Sequence, residues 1–254
     1  MLETQSLTIR FGGHVAVDHV SCAFFPGQLT AIVGPNGAGK TTYFNLMSGQ
    51  LSASDGAVMI EGADVTRLSA PQRTRLGLGR AFQLTNLFPR LSVAENVRLA
   101  TQAMAGVHYD MRRPWRARAD LIAHADSVLD SVGLLNKRNV LASALPHGDQ
   151  RKLEVAMMMA LEPKIFMFDE PTAGMSVHEV PIVLDLIRSL KQQGQKTILL
   201  VEHKMEVIRE LSDRIIVMHN GALVADGKPA DVIALPIVQD AYLGRAAARS
   251  GVVA

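Results

Sequence analysis

A single cysteine, Cys22, in 254 residues excludes an internal disulfide and a multi-cysteine metal site, and leaves a small buried thiol as its expected role. The chain has no excess of either charge. A formal net charge of +2 demands no polyanionic partner such as nucleic acid. No apolar run approaches the roughly 20 residues needed to cross a bilayer, and the opening "MLETQSLTIR" lacks a charged stretch followed by an apolar one. The expectation is a chain neither secreted nor membrane-spanning by itself, in a reducing compartment. Internal repeats and low-complexity segments are also missing. What is present is 48% hydrophobic residues, enough to bury a sizeable core as one large domain or a domain with a smaller lobe.

Element signals change along the chain. The first third reads as strands, "SLTIR", "VAVDHVSCAFF" and "LTAIVG", punctuated by the turn signals "FGG" and "PGQ". A helix is expected from Gly39 to Ser48, then a strand in "GAVMIEG". From about Ser92 to Ala142 the pattern is helical, clearest from Asp120 to Val132, and it is interrupted at "GVHYDMRRPWRARA". This stretch reads as an inserted helical lobe. Beyond it, "KIFMFDE", "KTILLVEH" and "RIIVMHNG" alternate with helices, the βαβ order of a parallel sheet, and "HNGALVADG" closes with a hairpin at Asn220 and Gly221.

Chemistry enters where the third strand meets a helix. "GPNGAGKTT" comprises Gly34, Pro35, Asn36, Gly37, Ala38, Gly39, Lys40, Thr41 and Thr42, and it satisfies G-x-x-x-x-G-K-[ST]. Glycines let backbone N–H groups curl around phosphates. Lys40 reaches the β and γ oxygens, the Thr41 hydroxyl ligates Mg²⁺, and the helix N-terminus adds partial positive charge. The apolar strand before it and the helix after it are the context such a loop requires.

In "KIFMFDEPTAG" the apolar residues Ile165 to Phe168 run up to Asp169 and Glu170, which places two acids at the C-terminal end of a buried parallel strand. Asp169 is positioned to hold the hydration shell of Mg²⁺ opposite Lys40. Glu170 is the natural general base for water attacking a γ-phosphate.

"SALPHGDQRKLE" then raises a question of its own. Pro146, His147 and Gly148 precede a helix expected over Gln150 to Leu161, apolar nearly all round, with Met157 to Met159 in the core. Its start presents free N–H groups at Gly148, Asp149 and Gln150, a second anion site. One nucleotide does not need two such helix ends from one subunit. Two subunits arranged head to tail do, each closing its helix end over the other's nucleotide.

Five motifs in this order resemble the ATP-binding cassette (ABC) ATPases over essentially the whole chain: "GPNGAGKTT", the glutamine loop "GRAFQLTNLF", the signature "LPHGDQ", "FMFDEPTAG" and "LLVEHKM". The resemblance implies an α/β fold. Its P-loop NTPase core carries a parallel sheet with an N-terminal antiparallel β-subdomain, from residues 1–90 and 160–254, and a helical subdomain occupies about 91–159. It implies ATP and Mg²⁺ as cofactors, Phe11 stacking on adenine, and Gln83 as a metal-site and catalytic residue linked to a membrane partner. His203 would contact the γ-phosphate, beside Glu170 as base and Asp169 and Thr41 at the metal.

"RAFQLTNLFPRLSVAENV", the basic segment from Arg112 to Arg118, "LVEHKM" and the ending "DAYLG" resemble the ATPase subunits of branched-chain amino-acid importers. "VAENV" and "YLG" also occur in lipopolysaccharide-export ATPases, and a soluble ABC ATPase acting on nucleic acid or ribosomes is the reading from another class. The importer resemblance implies a second, different cassette as dimer partner, two transmembrane permease subunits and, indirectly, a periplasmic or extracellular substrate-binding protein, with no nucleic acid. The chain would then sit at the cytoplasmic face of the cell membrane. It departs from the family twice: Pro146 replaces the signature serine, and Ser176 stands where an aspartate is usual.

Overall fold

The computed structural model describes residues 1–81, 87–106, 118–175, 177–178, 180–236 and 238–239. Three of its strands have every residue buried: β3 (Leu29–Val33), β7 (Ile165–Asp169) and β8 (Thr197–Val201). Strands this apolar belong in a parallel sheet covered on both faces. They form the centre of a six-stranded sheet with β6 (Leu78–Ala81), β9 (Arg214–His219) and β10 (Ala222–Gly227), in the order β10-β9-β3-β8-β7-β6. All its pairings are parallel except the β9–β10 hairpin at Asn220 and Gly221. A second, antiparallel sheet has the order β2-β1-β4-β5, from β1 (Leu2–Phe11), β2 (His14–Phe24), β4 (Asp55–Ile60) and β5 (Ala63–Asp64).

Side-chain alternation on β7 divides the core. Ile165 and Met167 face α1 (Lys40–Ser48) and the antiparallel sheet, packing with Tyr43, Phe44 and Leu7. Phe166 and Phe168 face the other way, into one continuous cluster with α3 (Val93–Met104), α4 (Ala119–Ser131), α5 (His147–Met159) and α6 (Val180–Gln192). The helical lobe therefore shares its apolar core with one face of the sheet. Helices α7 (Met205–Leu211) and α8 (Pro229–Ile233) complete the covering near β9.

Several sequence expectations change in extent. Gly39 is the N-cap of α1 and not its first residue, and the hairpin strands β1 and β2 start earlier than the apolar pattern suggested. The helical reading to Ala142 overran. After Ser131 the chain makes only short 3₁₀ turns at Leu135–Lys137 and Ala142–Ala144. Helix α5 begins at His147, three residues before the expected Gln150, and Met157 and Met159 are half-buried, so it is not apolar all round.

Strand β6 and the short helix α2 (Ala70–Arg75) carry no clear sequence signal. In "LGRA" a glycine and an arginine interrupt the β pattern, yet Gly79 is required there: a Cβ would lie 2.7 Å from the Pro163 ring. Helix α2 is set locally, by proline in its first turn and a capping box between Ser69 and Gln72. Its buried Arg73 donates to the Leu46 and Met47 carbonyls at 2.6 and 2.8 Å, neutralising the C-terminal end of α1.

Candidate active site

The loop from Gly34 to Gly39 connects β3 to α1 and is held from outside. Gly39 has φ +94°, and a Cβ on it would lie 2.3 Å from the Ala16 carbonyl of β2, so the antiparallel sheet presses directly on this turn. Gly221 of the β9–β10 hairpin donates to Ala38 O at 3.1 Å and accepts from Asp18 N at 2.9 Å. Both sheets thus clamp the loop. Asn36 and Gly37 remain exposed, as does Thr41 at the start of α1, while Thr42 is half-buried.

Lys40 is buried, and its Nζ donates to Gly34 O at 2.8 Å and Pro35 O at 3.0 Å. Burial pushes this ammonium below its ordinary pKa, and the nearby Glu170 and Asp169 charges oppose that shift. The loop's one cation is therefore folded against carbonyls of the loop itself.

Asp169 ends β7 with its side chain 1% exposed, and its Oδ2 accepts from Arg80 Nη2 at 2.7 Å. Its Oδ1 is buried without a hydrogen-bond partner. Burial raises this carboxyl above the usual range, and the Arg80 guanidinium works against the rise. Among the described residues no group of three or more His, Cys, Asp or Glu gathers to hold a metal. One carboxylate with an unused oxygen and one hydroxyl nonetheless suit Mg²⁺, which keeps several waters and takes phosphate oxygens as ligands.

Glu170 follows in a left-handed backbone conformation, φ +50°, with its N–H on Val201 O at 2.9 Å. Its Oε1 meets His203 Nε2 at 2.6 Å, joining the ends of neighbouring strands β7 and β8.

The second helix start is separate. It opens α5, where Asp149 pairs with Lys137 and Lys152. Pro146 is the N-cap of α5 with φ −55° and does not break it. The expected donor at Gln150 is corrected: its N–H is spent on Pro146 O at 3.0 Å, the first bond of the helix, and its side-chain amide donates to Leu145 O at 2.9 Å. The helix-start donors are those of His147, Gly148 and Asp149. Although burial works to raise it, the Asp149 carboxyl is held below the usual range by Lys137 and by Lys152, 3.4 Å away.

Phe11 ends β1 opposite His14, 49% exposed, in the sheet that presses the Gly34–Gly39 loop through Ala16. Gln83 and Ser176 lie outside the described residues. Two residues that the sequence reading did not single out belong here, Arg80 and Glu202. Glu202 is a charged residue directly after the apolar strand β8, a pattern that could have flagged it, whereas Arg80 sits in "LGRA", which carries no such signal.

Residues 17–173 match the ABC transporter family. The chain is 37% identical to the high-affinity branched-chain amino acid transport ATP-binding protein LivG of Escherichia coli strain K12, covering 97% of this chain and 98% of that one. It is equally 37% identical to the corresponding protein BraF of Pseudomonas aeruginosa, with the same coverage. Its fold matches the crystal structure of MJ1267 in the ADP conformation, an ATP-binding cassette of an ABC transporter, with a TM-score of 0.83 at 26% identity, over 96% of this chain and 98% of that one. With a glycine-rich strand-to-helix loop, a strand-end acid pair and a glutamate–histidine contact at the C-terminal ends of one sheet's strands, the chain belongs to the ABC transporter family and is an ATP-binding, ATP-hydrolysing cassette.

Proposed function

We propose that this cassette drives an importer of branched-chain or related amino acids, working through separate permease subunits at the cytoplasmic face of the membrane. The observation that carries its chemistry is Glu170 Oε1 at 2.6 Å from His203 Nε2, beside Asp169 and within the electrostatic reach of Lys40. The substrate class rests on the full-length similarity to LivG and BraF.

Lys40 would leave the Gly34 and Pro35 carbonyls for the β and γ oxygens of ATP, while N–H groups from Pro35 through Thr42, proline excepted, surround the phosphates. Phe11 would stack on the adenine. Thr41, the free oxygen of Asp169 and Gln83 would hold Mg²⁺, directly or through its waters, to supply positive charge against the phosphates. Glu170 would take the proton of the attacking water, and His203 would hold Glu170 in place and contact the γ-phosphate. The donors of His147, Gly148 and Asp149 would close over the nucleotide of a second, different cassette.

Residues 1–90 and 160–254 would act as the core and about 91–159 as the lobe. Between them lies a cleft of about 310 Å³, lined by Ala81, Phe88, Leu99, Ala103, Met157 and Leu161. Its apolar lining, which includes Ala81 and Phe88, described residues on either side of Gln83 in sequence, supports it as the permease contact. Among the described residues no helix is long and apolar enough to cross a membrane, so transport requires such a partner. An extracytoplasmic binding protein would deliver substrate, and no nucleic acid would be involved.

The test is purification of the mildly solubilised complex, followed by uptake of labelled leucine, isoleucine and valine into vesicles. Two multi-spanning proteins with a second cassette, and ATP-dependent uptake abolished by Glu170→Gln, are expected. Recovery of ribosomes or DNA, or an export substrate, would overturn the importer reading.

A further inference from the structure

Glu202 follows the last residue of β8 and is 2% exposed, yet among the described residues it makes no salt bridge to Lys or Arg. A buried carboxylate is costly unless hydrogen-bonded. Here the donors come from two chain segments. Oε1 accepts from the Thr172 hydroxyl and from Thr172 N at 3.3 Å; Oε2 accepts from His203 N at 2.9 Å and Lys204 N at 3.3 Å. One oxygen serves the loop after the acid pair, and the other serves the turn that carries the histidine.

These contacts close a ring. Glu170 stands two residues before Thr172; Thr172 is bound to Glu202; Glu202 is followed by His203; and His203 Nε2 returns to Glu170 Oε1 at 2.6 Å. Because Glu170 sits in a left-handed conformation, φ +50°, its side-chain direction depends on how the following loop is anchored.

We propose that Glu202 is a positioning residue: its carboxylate locks the Thr172 loop and the His203 turn together, and so sets the Glu170–His203 contact. The proposal rests on the roles given above to Glu170 and His203. An acid suits the task because it accepts at both oxygens, whereas an amide would turn a donor toward one of the two donor pairs.

The test uses the full chain in its transporter complex. Glu202→Gln and Thr172→Val keep the shapes and break the ring, and Thr172→Ser restores the hydroxyl. Misplacing a catalytic group costs up to about 10²-fold in rate, so the first two variants should lose kcat on that scale with KM for ATP unchanged. Thr172→Ser should turn over near wild type. Glu202→Gln combined with Thr172→Val should cost no more than either alone. The imidazole ¹⁵N resonances of His203, read in the full chain, should move in Glu202→Gln. Wild-type kcat with unmoved resonances, or a rise in KM alone, would overturn the proposal. Glu170→Gln and His203→Ala serve as controls: if these still hydrolyse ATP normally, the underlying roles fail and not the ring.

Discussion

Arg80 Nη2 donates to Asp169 Oδ2 at 2.7 Å, and this buried pair ties β6 to the C-terminal end of β7. The same guanidinium reaches back to α1. Its Nη1 donates to Asn45 Oδ1 and Ser48 Oγ at 2.7 Å and to Gln50 Oε1 at 3.0 Å, and its carbon lies 5.5 Å from the Phe44 ring centre. One side chain therefore braces Asp169 against α1, the helix that follows the Gly34–Gly39 loop.

Arg80→Ala strips a buried carboxylate of its cation, a change that costs about 3 to 5 kcal/mol in comparable pairs. Urea unfolding should show that loss. Arg80→Lys should recover only part of it, because an ammonium cannot span Asp169 and the α1 acceptors at once. A wild-type unfolding midpoint in Arg80→Ala would mean the brace contributes nothing.

Glu170→Gln keeps the side-chain shape and removes the proposed base. Loss of a general base typically lowers rate by about 10²- to 10⁴-fold, while Lys40, Thr41 and Asp169 should still hold nucleotide. Equilibrium ATP binding is expected to survive and steady-state turnover to collapse. Near-normal turnover would remove Glu170 from the role.

Asp149 offers a pH test. Its folded-state pKa lies below the ordinary value of 3.8 because Lys137 and Lys152 outweigh burial. A depressed carboxylate stabilises the fold fully above its unfolded pKa, and the contribution is lost as pH falls through the lower folded value. Compared with Asp149→Asn, the wild type should be more stable at pH 7, by about 1 kcal/mol, and the gap should close below pH 3.8. Denaturant midpoints measured from pH 7 to pH 3 read this directly; a gap independent of pH would exclude the lysine pairing as its cause.

Pro146→Ser supplies an oxygen that caps α5 and can also meet a partner's phosphate. Serine at an N-cap is worth about 1 kcal/mol over a residue without a side-chain acceptor, so a modest rise in Tm is expected. Tighter ATP-driven association of the cassettes should accompany it in a Glu170→Gln background. Gly148→Asp should block that association, and normal closure in this variant would show that the helix start is only a cap.

The phosphate loop, the acids after Ile165 to Phe168 and the proline-led helix start were legible because each is a contiguous string. Its backbone geometry follows from glycine, from burial on both faces of a strand, or from proline's fixed φ. Helix boundaries were less legible. Gln150 was read as the first residue of α5, but His147 already lies inside it, and the bond from Gln150 N to Pro146 O decides which donors stay available. The strand "LGRA" was hidden altogether, since its glycine answers to Pro163 and its arginine to Asp169. Sequence alone therefore determined a glycine-rich turn between an apolar strand and a helix, and an acid pair at a strand end. The tertiary structure decided which charges meet: Arg80 with Asp169 across 89 positions, His203 with Glu170 across 33, Glu202 with Thr172 across 30. The physical reason is that these pairs exist only because the order β8-β7-β6 lays distant strand ends side by side, and no local propensity records which strand will be whose neighbour.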